Sequence, residues 1–160
     1  MSEERILGLQ SYAIRDVLSV ADKEQTAVIA ADIAAMGYRS TELRPEDYTP
    51  APAEMKRILA DQGITVCAMH AEMTALDDDY EEVIFRFRQM GCLQLVIPSR
   101  PRRETDIPRF VDKVAYYARK VQADGLRLQY HNHVAEFARL DDGTTMMARL
   151  LDLAAGGLFS

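Results

Sequence analysis

The segment Tyr130-His-Asn-His-Val-Ala-Glu-Phe combines three side-chain types that can ligate a metal or move a proton. Two imidazoles, one amide and one carboxylate lie within it, at His131, His133, Asn132 and Glu136. Imidazole and carboxylate donors so close in the chain suit a divalent ion of the Mn²⁺, Co²⁺ or Zn²⁺ kind. The segment is therefore the first candidate for a functional site.

The remaining histidine of the sequence, His70, also follows an apolar, strand-like run. Other polar residues follow such runs as well: Gln10, Tyr12, Arg15, Glu42, Arg44, Glu72, Ser99 and Arg100. In sheets of parallel strands, ligands bind at the carboxyl ends of the strands. A histidine has no general reason to favour that end unless polar chemistry is done there. For His70 alone, a hydrogen-bonded structural role or a helix cap is an equally open interpretation.

The elements that must position these residues show a repeat. Five helical segments end on a glycine that leads into an apolar run, at Gly37, Gly63, Gly91, Gly125 and Gly156 or Gly157. Successive glycines lie 26, 28, 34 and 31 residues apart, which is the length of one β/α unit. Glycine ends helices because it adopts the left-handed conformation without a Cβ clash. The repeat predicts strands at 6–10, 38–43, 64–69, 93–97 and 126–130, alternating with helices in a parallel α/β fold.

Two architectures accept five such units. A flavodoxin-like open sheet fits a chain of 160 residues, whereas a closed barrel of eight units needs about 250. The first strand-to-helix connection, 10–16, opposes the open sheet because it has no glycine to cradle a phosphate. There is also no acidic cluster like that of phospho-receiver domains. No linker-like composition divides the chain, so residues 1–160 are predicted to form a single domain.

Composition excludes several classes of protein. With 48% hydrophobic and 28% charged residues, the chain is ordinary for a globular domain. Its net charge of −6 argues against a nucleic-acid partner, and the basic residues Arg100, Arg102 and Arg103 are followed at once by acidic ones. The charged N-terminal residues 1–5 run straight into a strand-like segment, with no long apolar run. We therefore expect a cytoplasmic protein with no membrane partner.

Four segments carry a resemblance to a known family. They are Gly8-Leu-Gln-Ser-Tyr-Ala-Ile-Arg-Asp, Met36-Gly-Tyr-Arg-Ser-Thr-Glu-Leu, the strand that ends in His70, and above all the segment 130–137. The sequence resembles the sugar phosphate isomerase/epimerase group of xylose isomerase-like TIM barrels, the relatives of inosose dehydratase. The likeness covers nearly the whole chain. It implies a (β/α)₈ barrel, of which this sequence would supply about five of the eight units.

The resemblance also implies a chemistry. In the complete family fold, a divalent metal holds adjacent oxygens of a small sugar or polyol derivative; manganese is the first candidate, and cobalt, zinc or magnesium are alternatives. A carboxylate moves a proton next to a carbonyl, and the related dehydration is a close variant. Carried over to this sequence, Glu136 becomes the metal ligand and a catalytic residue, with His70 as the second catalytic residue. The substrate-binding residues become Tyr12, Arg15, Glu42, His131, Asn132 and His133, with His131 or His133 as an alternative contact to the metal.

The sequence departs from the family in its last part. Three further family strands supply an Asp, a His and a Glu to the metal, whereas this sequence stops where a sixth strand is expected, at Gly156-Gly-Leu-Phe-Ser. The acidic residues after Glu136 are Asp141 and Asp142, which are typical of a turn beside Gly143, and Asp152, which is typical of a helix surface.

A non-catalytic alternative follows from that departure. The chain could be a truncated or self-associating partial barrel that lacks the metal and forms homo-oligomers through exposed sheet edges. A flavodoxin-like binding module without metal is the less favoured reading. The superfamily's DNA-repair nucleases are disfavoured by the acidic charge.

Overall fold

The computed structural model describes residues 6–157. The charged residues 1–5 and residues 158–160, where a sixth strand was expected to begin, lie outside the described part of the chain. The polypeptide forms two compact units, residues 1–93 and 94–160. Each unit is described by itself below, and the single-domain organisation stays a prediction.

The first unit is a parallel three-stranded sheet with helices between its strands. Its strands are β1 (Gly8–Gln10), β2 (Ser40–Leu43) and β3 (Thr65–His70). Strand β2 lies in the middle, paired in parallel with β1 on one side and β3 on the other. A flavodoxin-like sheet would place β1 between β2 and β3. The flavodoxin-like reading is therefore wrong.

Five α-helices belong to the described part of this first unit. They are α1 (Arg15–Leu18), α2 (Lys23–Ala35), α3 (Pro52–Asp61), α4 (Met73–Asp78) and α5 (Tyr80–Met90). Short 3₁₀ turns at Ser11–Ile14 and Pro45–Asp47 follow β1 and β2 directly. Helix α2 begins at a capping box, in which Asp22 and Gln25 exchange hydrogen bonds with each other's backbone amides.

The second unit repeats the alternation. Strands β4 (Gln94–Ile97) and β5 (Arg127–Tyr130) pair in parallel, and α6 (Ile107–Ala123) connects them. A 3₁₀ turn at Val134–Phe137 follows β5, and α7 (Met146–Ala155) ends the unit. The apolar residues Val114, Ala115, Ala118 and Val121 of α6 are buried. In the first unit, Met36, the residue just after α2, is 73% exposed.

All five predicted strands are present, but each begins one or two residues later than the apolar run that predicted it. For β2, β3 and β5, the helix cap accounts for the loss of the first predicted residue. The amide of the residue after the glycine bonds back to the last helical turn, as in Tyr38 to Ile33, Ile64 to Leu59 and Leu126 to Val121. These are the 6→1 bonds of a Schellman cap, whose glycine has positive φ. The residue after the glycine thus belongs to the helix end rather than to the strand.

No helix within residues 6–157 combines the length and the apolar composition that a membrane crossing needs. A cytoplasmic location stays a prediction.

Candidate functional site

In the first unit, the ends of three neighbouring strands bring together Gln10, Glu42 and His70. The Gln10 side-chain amide donates to Glu42 Oε1 at 2.7 Å, and His70 Nε2 lies 2.6 Å from the same oxygen. An ionised carboxylate only accepts hydrogen bonds, so Nε2 carries the hydrogen when Glu42 is charged. His70 is only 5% exposed. Two predicted site residues thus meet, and Gln10 fixes the carboxylate from the other side.

A β-bulge between β2 and β3 brings Glu42 and His70 to the same face of the sheet. Thr41 pairs with Val66, but the next residue, Glu42, pairs with Ala68, so β3 contains one extra residue at this point. Residues two apart on a strand share a face, and His70 therefore lies on the same face as Ala68 and Glu42. Without the bulge Glu42 would lie opposite Cys67, and the ladder would turn His70 to the other face.

A second polar network braces the loops after β1 and β2. Asp47 accepts hydrogen bonds from the Ser11 hydroxyl and from two nitrogens of Arg44, at 2.9 and 2.8 Å from Nε and Nη2. The Arg44 backbone amide in turn donates to the Ser11 hydroxyl oxygen. Asp47 and Ser11 are both buried. The hydrogen bonds to Asp47 raise the pKa of Arg44, so this guanidinium stays charged.

This bracing network determines the surroundings of Tyr12. Its ring has the guanidinium of Arg15 at 3.9 Å and that of Arg44 at 4.4 Å from the ring centre. Cations over an aromatic face are attracted by the ring's negative face. Tyr12 and Arg15 were predicted substrate contacts, and they do lie together at the end of β1. Their role in binding stays a prediction.

A cavity of about 190 Å³ opens beside His70 in the first unit. Its walls include Tyr48 from the loop after β2, Met69 from β3, and Val83 and Phe87 from α5. Burial raises the pKa of the Tyr48 hydroxyl, and the nearby Arg86 lowers it by less. A water molecule occupies about 30 Å³ of liquid, so the cavity has room for a small organic group next to an imidazole.

In the second unit, the predicted segment 130–137 forms the end of β5 and the turn after it. The His131 amide bonds to the carbonyl of Ile97 and continues the ladder between β4 and β5. The rings of His131 and His133 lie together, with centres 4.9 Å apart. Asn132 is exposed between them.

Glu136 has a different environment from the histidines that precede it. Its side chain is fully buried. Oε1 accepts a hydrogen bond from the Tyr130 hydroxyl at 3.1 Å, and Oε2 accepts one from the His133 amide at 2.9 Å. The metal-ligand and catalytic roles assigned to Glu136 stay predictions.

Tyr130 leads to a prediction about alkaline pH. Burial, reinforced by the neighbouring Glu136 carboxylate, raises the pKa of Tyr130 well above the value of about 10 for a free tyrosine. The folded protein therefore keeps a proton that the unfolded chain releases, and the resulting stability is present below about pH 10 and declines above it. Tyr130→Phe should consequently lose less stability than the parent when chemical denaturation is compared between about pH 9 and 11.

Ultraviolet titration of tyrosinate provides the check on Tyr130. The parent and Tyr130→Phe should show the same number of tyrosines that ionise reversibly before unfolding. Loss of one normally titrating tyrosine in the variant would contradict the raised pKa.

The acidic residues near the end of the described chain are structural, as predicted. Asp141 and Asp142 lie in the turn before Gly143, and Asp152 is exposed on α7. Asp142 bonds the Thr144 amide and hydroxyl and the Arg149 guanidinium, contacts that lower the pKa of its carboxyl group.

Solved structures of three enzymes share this fold. A sugar phosphate isomerase/epimerase from Parabacteroides distasonis matches 96% of this chain with a TM-score of 0.74 and 20% identity. The fold is that of the xylose isomerase-like TIM barrel. A D-allulose 3-epimerase from Methylomonas sp. matches 92% of the chain with a TM-score of 0.59 and 13% identity. An AP endonuclease of family 2 from Brucella melitensis matches 79% with a TM-score of 0.56 and 13% identity.

The chain corresponds to only part of each of these solved structures, and the xylose isomerase-like fold is shown for that part. The chain spans 63%, 58% and 55% of the isomerase/epimerase, the allulose epimerase and the endonuclease, respectively. No protein-family model and no curated protein matches the sequence. The predicted fold class, a parallel β/α barrel type represented by about five units, is confirmed. At these identities the likeness concerns the fold, and the activity has to be argued from the side chains.

Sequence reasoning missed two residues that hold this strand-end region together. Gln10 was only one of many polar residues after strands, and nothing in its local sequence marked it as the partner of Glu42. Asp47 lies in the loop after β2, beyond the strand end where functional residues were sought. A Pro-Glu-Asp sequence signals the 3₁₀ turn, but it does not show which carboxylate turns inward.

Proposed function

We propose that this chain is part of an isomerase or epimerase that moves a proton next to the carbonyl of a small sugar or polyol derivative. The observation that carries the proposal is the convergence of Gln10 and His70 on one carboxylate oxygen of Glu42 at strand ends. Proton abstraction beside a carbonyl needs a base held in a fixed orientation within reach of the carbon. The related dehydration begins with the same proton transfer and is part of the proposal.

Each of the three residues has a distinct task in this proposal. The Glu42 carboxylate takes the proton from carbon, since it is the acceptor-only group of the three. The Gln10 amide keeps the plane of that carboxylate fixed. His70 donates its Nε2 hydrogen to the carboxylate, which orients the base, and its ring also lines the cavity where a substrate group would lie.

A divalent metal belongs to the proposal as well. The carboxylate of Glu42 and the imidazole of His70 have the donor chemistry that suits Mn²⁺, Co²⁺ or Zn²⁺, and they are the residues of the first unit that would hold it. When bound, such an ion stabilises the negative charge that develops on the substrate oxygens. Glu136 is the poorer ligand because its side chain is fully buried and has no surface that an ion could reach.

Deuterium incorporation from D₂O tests the proton transfer. The full-length protein, with Mn²⁺ added, is incubated with D-allulose or D-fructose, and exchange at the carbon beside the carbonyl is followed by NMR. Glu42→Gln keeps the shape of the side chain but removes the base, so exchange should slow by about 10²- to 10⁴-fold. Mn²⁺ affinity, measured by electron paramagnetic resonance, should fall by more than about 10-fold.

Asp61→Asn is the matched control, because Asp61 is an exposed carboxylate at the last residue of α3 and does not line the cavity beside His70. This control should leave exchange and Mn²⁺ affinity unchanged. Equal effects of the two substitutions, or exchange that survives in Glu42→Gln, would refute the role of Glu42.

A second candidate function is a self-associating, non-catalytic partial barrel. It is favoured by the exposed apolar residues Ile6 and Leu7, which lead into β1. Contiguous exposed apolar surface marks association sites. The same exchange assay separates the candidates, since a purely associating protein has no activity that depends on Glu42.

A nuclease function is the poorer proposal, despite the endonuclease among the structural neighbours. The chain carries a net charge of −6. Binding to a phosphate backbone depends on clustered Lys and Arg side chains.

A further inference from the structure

The second unit contains a buried carboxylate, Glu136, for which the proposed proton transfer has no use. Its side chain has no exposed surface. An ionised carboxylate is costly to bury unless its oxygens are hydrogen-bonded. Both oxygens of Glu136 meet that condition, and their partners indicate what the residue does.

One partner anchors Glu136 to the sheet. The hydroxyl of Tyr130, the last residue of β5, donates to Oε1 at 3.1 Å. The same hydroxyl lies 3.2 Å from the carbonyl of Ser99, in the segment after β4. The ring of Tyr130 also packs edge-on against Phe110 of α6. The position of Oε1 is thus set by three packed elements of the unit.

The other partner is the backbone of the turn that presents the two histidines. Oε2 accepts from the His133 amide at 2.9 Å, just before the 3₁₀ turn Val134–Phe137 begins. A side-chain acceptor at this point satisfies an amide that the turn itself leaves without a partner. The His133 ring is exposed, whereas its backbone is tied to a buried anchor.

The imidazole pair is consequently held at both of its residues. His131 is fixed by its backbone bond to Ile97, and His133 is fixed by Glu136. With both backbones held, the two rings lie with centres 4.9 Å apart. Without the bond to Glu136, the turn after β5 would no longer hold the His133 backbone, and its ring could move away from that of His131.

We propose that Glu136 is a positioning residue, which holds the His131 and His133 imidazoles together at the end of β5, and that it is not a metal ligand. Each oxygen keeps a second acceptor site, but the side chain has no exposed surface, so a metal could reach it only if this packing opened. Whether the histidine pair contributes to catalysis rests on the proposed function. The positioning of the pair by Glu136 can be measured without any activity assay.

The decisive variant is Glu136→Gln in the full-length protein. Its amide oxygen can still accept from the His133 amide, and its NH₂ group can donate to the Tyr130 oxygen, so the positions of both partners are kept. A neutral amide is a far weaker ligand than a carboxylate for Mn²⁺. Positioning and ligation therefore predict opposite results. Glu136→Ala removes both roles, and Asp142→Asn, at an exposed carboxylate of the same unit, is the control.

Two measurements are made on each variant: hydrogen exchange of the His133 amide by NMR without metal, and Mn²⁺ affinity by electron paramagnetic resonance. We expect the His133 amide to be protected in the parent, in Glu136→Gln and in Asp142→Asn, and to exchange roughly 10-fold faster in Glu136→Ala. Mn²⁺ affinity of Glu136→Gln should stay within about 3-fold of the parent, whereas loss of a ligand would lower it by more than about 10-fold.

Three results would overturn the inference: unchanged His133 exchange in a folded Glu136→Ala, loss of protection in Glu136→Gln, or loss of Mn²⁺ binding in Glu136→Gln with protection intact. If Glu136→Ala does not fold, the Glu136→Gln data decide alone. If the parent binds no Mn²⁺, the metal part of the proposed function fails, and amide exchange still decides whether Glu136 positions His133.

Discussion

Replacing Asp47 with alanine is expected to lower the free energy of unfolding by about 1.5–3 kcal/mol, because a buried carboxylate and its charge-assisted hydrogen bonds are lost. The Asp47 carboxylate accepts hydrogen bonds from the Ser11 hydroxyl and from two nitrogens of Arg44. Without it, the Arg44 guanidinium remains partly buried and loses its bidentate partner, and the buried Ser11 hydroxyl loses its acceptor. The measurement is urea denaturation followed by circular dichroism.

Glu46 provides a matched control for Asp47. It is the neighbouring residue and it also contacts Arg44, at 3.1 Å, but its side chain is 60% exposed. Exposed ion pairs contribute about 0–1 kcal/mol, so Glu46→Ala should have little effect. If the two alanine variants unfold at the same urea concentration, the buried network does not stabilise the loops as described.

Asp47→Ala should also disturb the candidate site at the strand ends. Arg44 is one of the two cations over the Tyr12 ring, and Asp47 holds it there. Losing this anchor would loosen Tyr12 and the loop after β1, next to Gln10. The stability of this region and the orientation of the candidate site residues are therefore linked through one carboxylate.

The second large effect is expected at Phe87 in helix α5. Its side chain is 2% exposed, and truncating a buried phenylalanine to alanine costs about 3–5 kcal/mol through lost burial and the cavity that remains. Phe87 also lines the cavity beside His70, so its removal would enlarge the space next to the site. Phe87→Ala should lower the urea midpoint of unfolding accordingly.

Phe85 in the same helix provides the matched control for Phe87. It is 53% exposed, and Phe85→Ala changes helix propensity by the same amount as Phe87→Ala. The exposed substitution should change the free energy of unfolding by no more than about 0.5 kcal/mol. A Phe85→Ala variant as unstable as Phe87→Ala would show that the burial of Phe87 and the exposure of Phe85 do not determine their contributions to stability.

Local chemistry explains why much of the fold was predictable from sequence. The helix-ending glycines, the capping box of Asp22 and Gln25 and the apolar stripe of α6 each depend on residues close in the chain. The errors have local causes too. The starts of β2, β3 and β5 were placed early because the residue after the glycine still bonds to the preceding helix.

The candidate site was predictable only in part. The histidines and Glu42 were recognised because each follows a strand-like run in the sequence. In parallel sheets, functional residues lie at such strand ends. Their partners were not recognisable in this way. Asp47 acts across 36 residues on Ser11, and Gln10 acts across 32 residues on Glu42. No spacing rule connects positions so far apart.

By itself, then, the sequence determined the alternation of strands and helices, the glycine after five of the helices and the set of polar side chains available at strand ends. These follow from backbone conformational preferences and from hydrophobic periodicity, which act over a few residues. The tertiary structure decided which of these side chains meet. One extra residue in β3 turns His70 to the face of Glu42, and burial separates the roles of Glu136 and His133. Register and burial depend on contacts between distant segments, and these form only when the chain is folded.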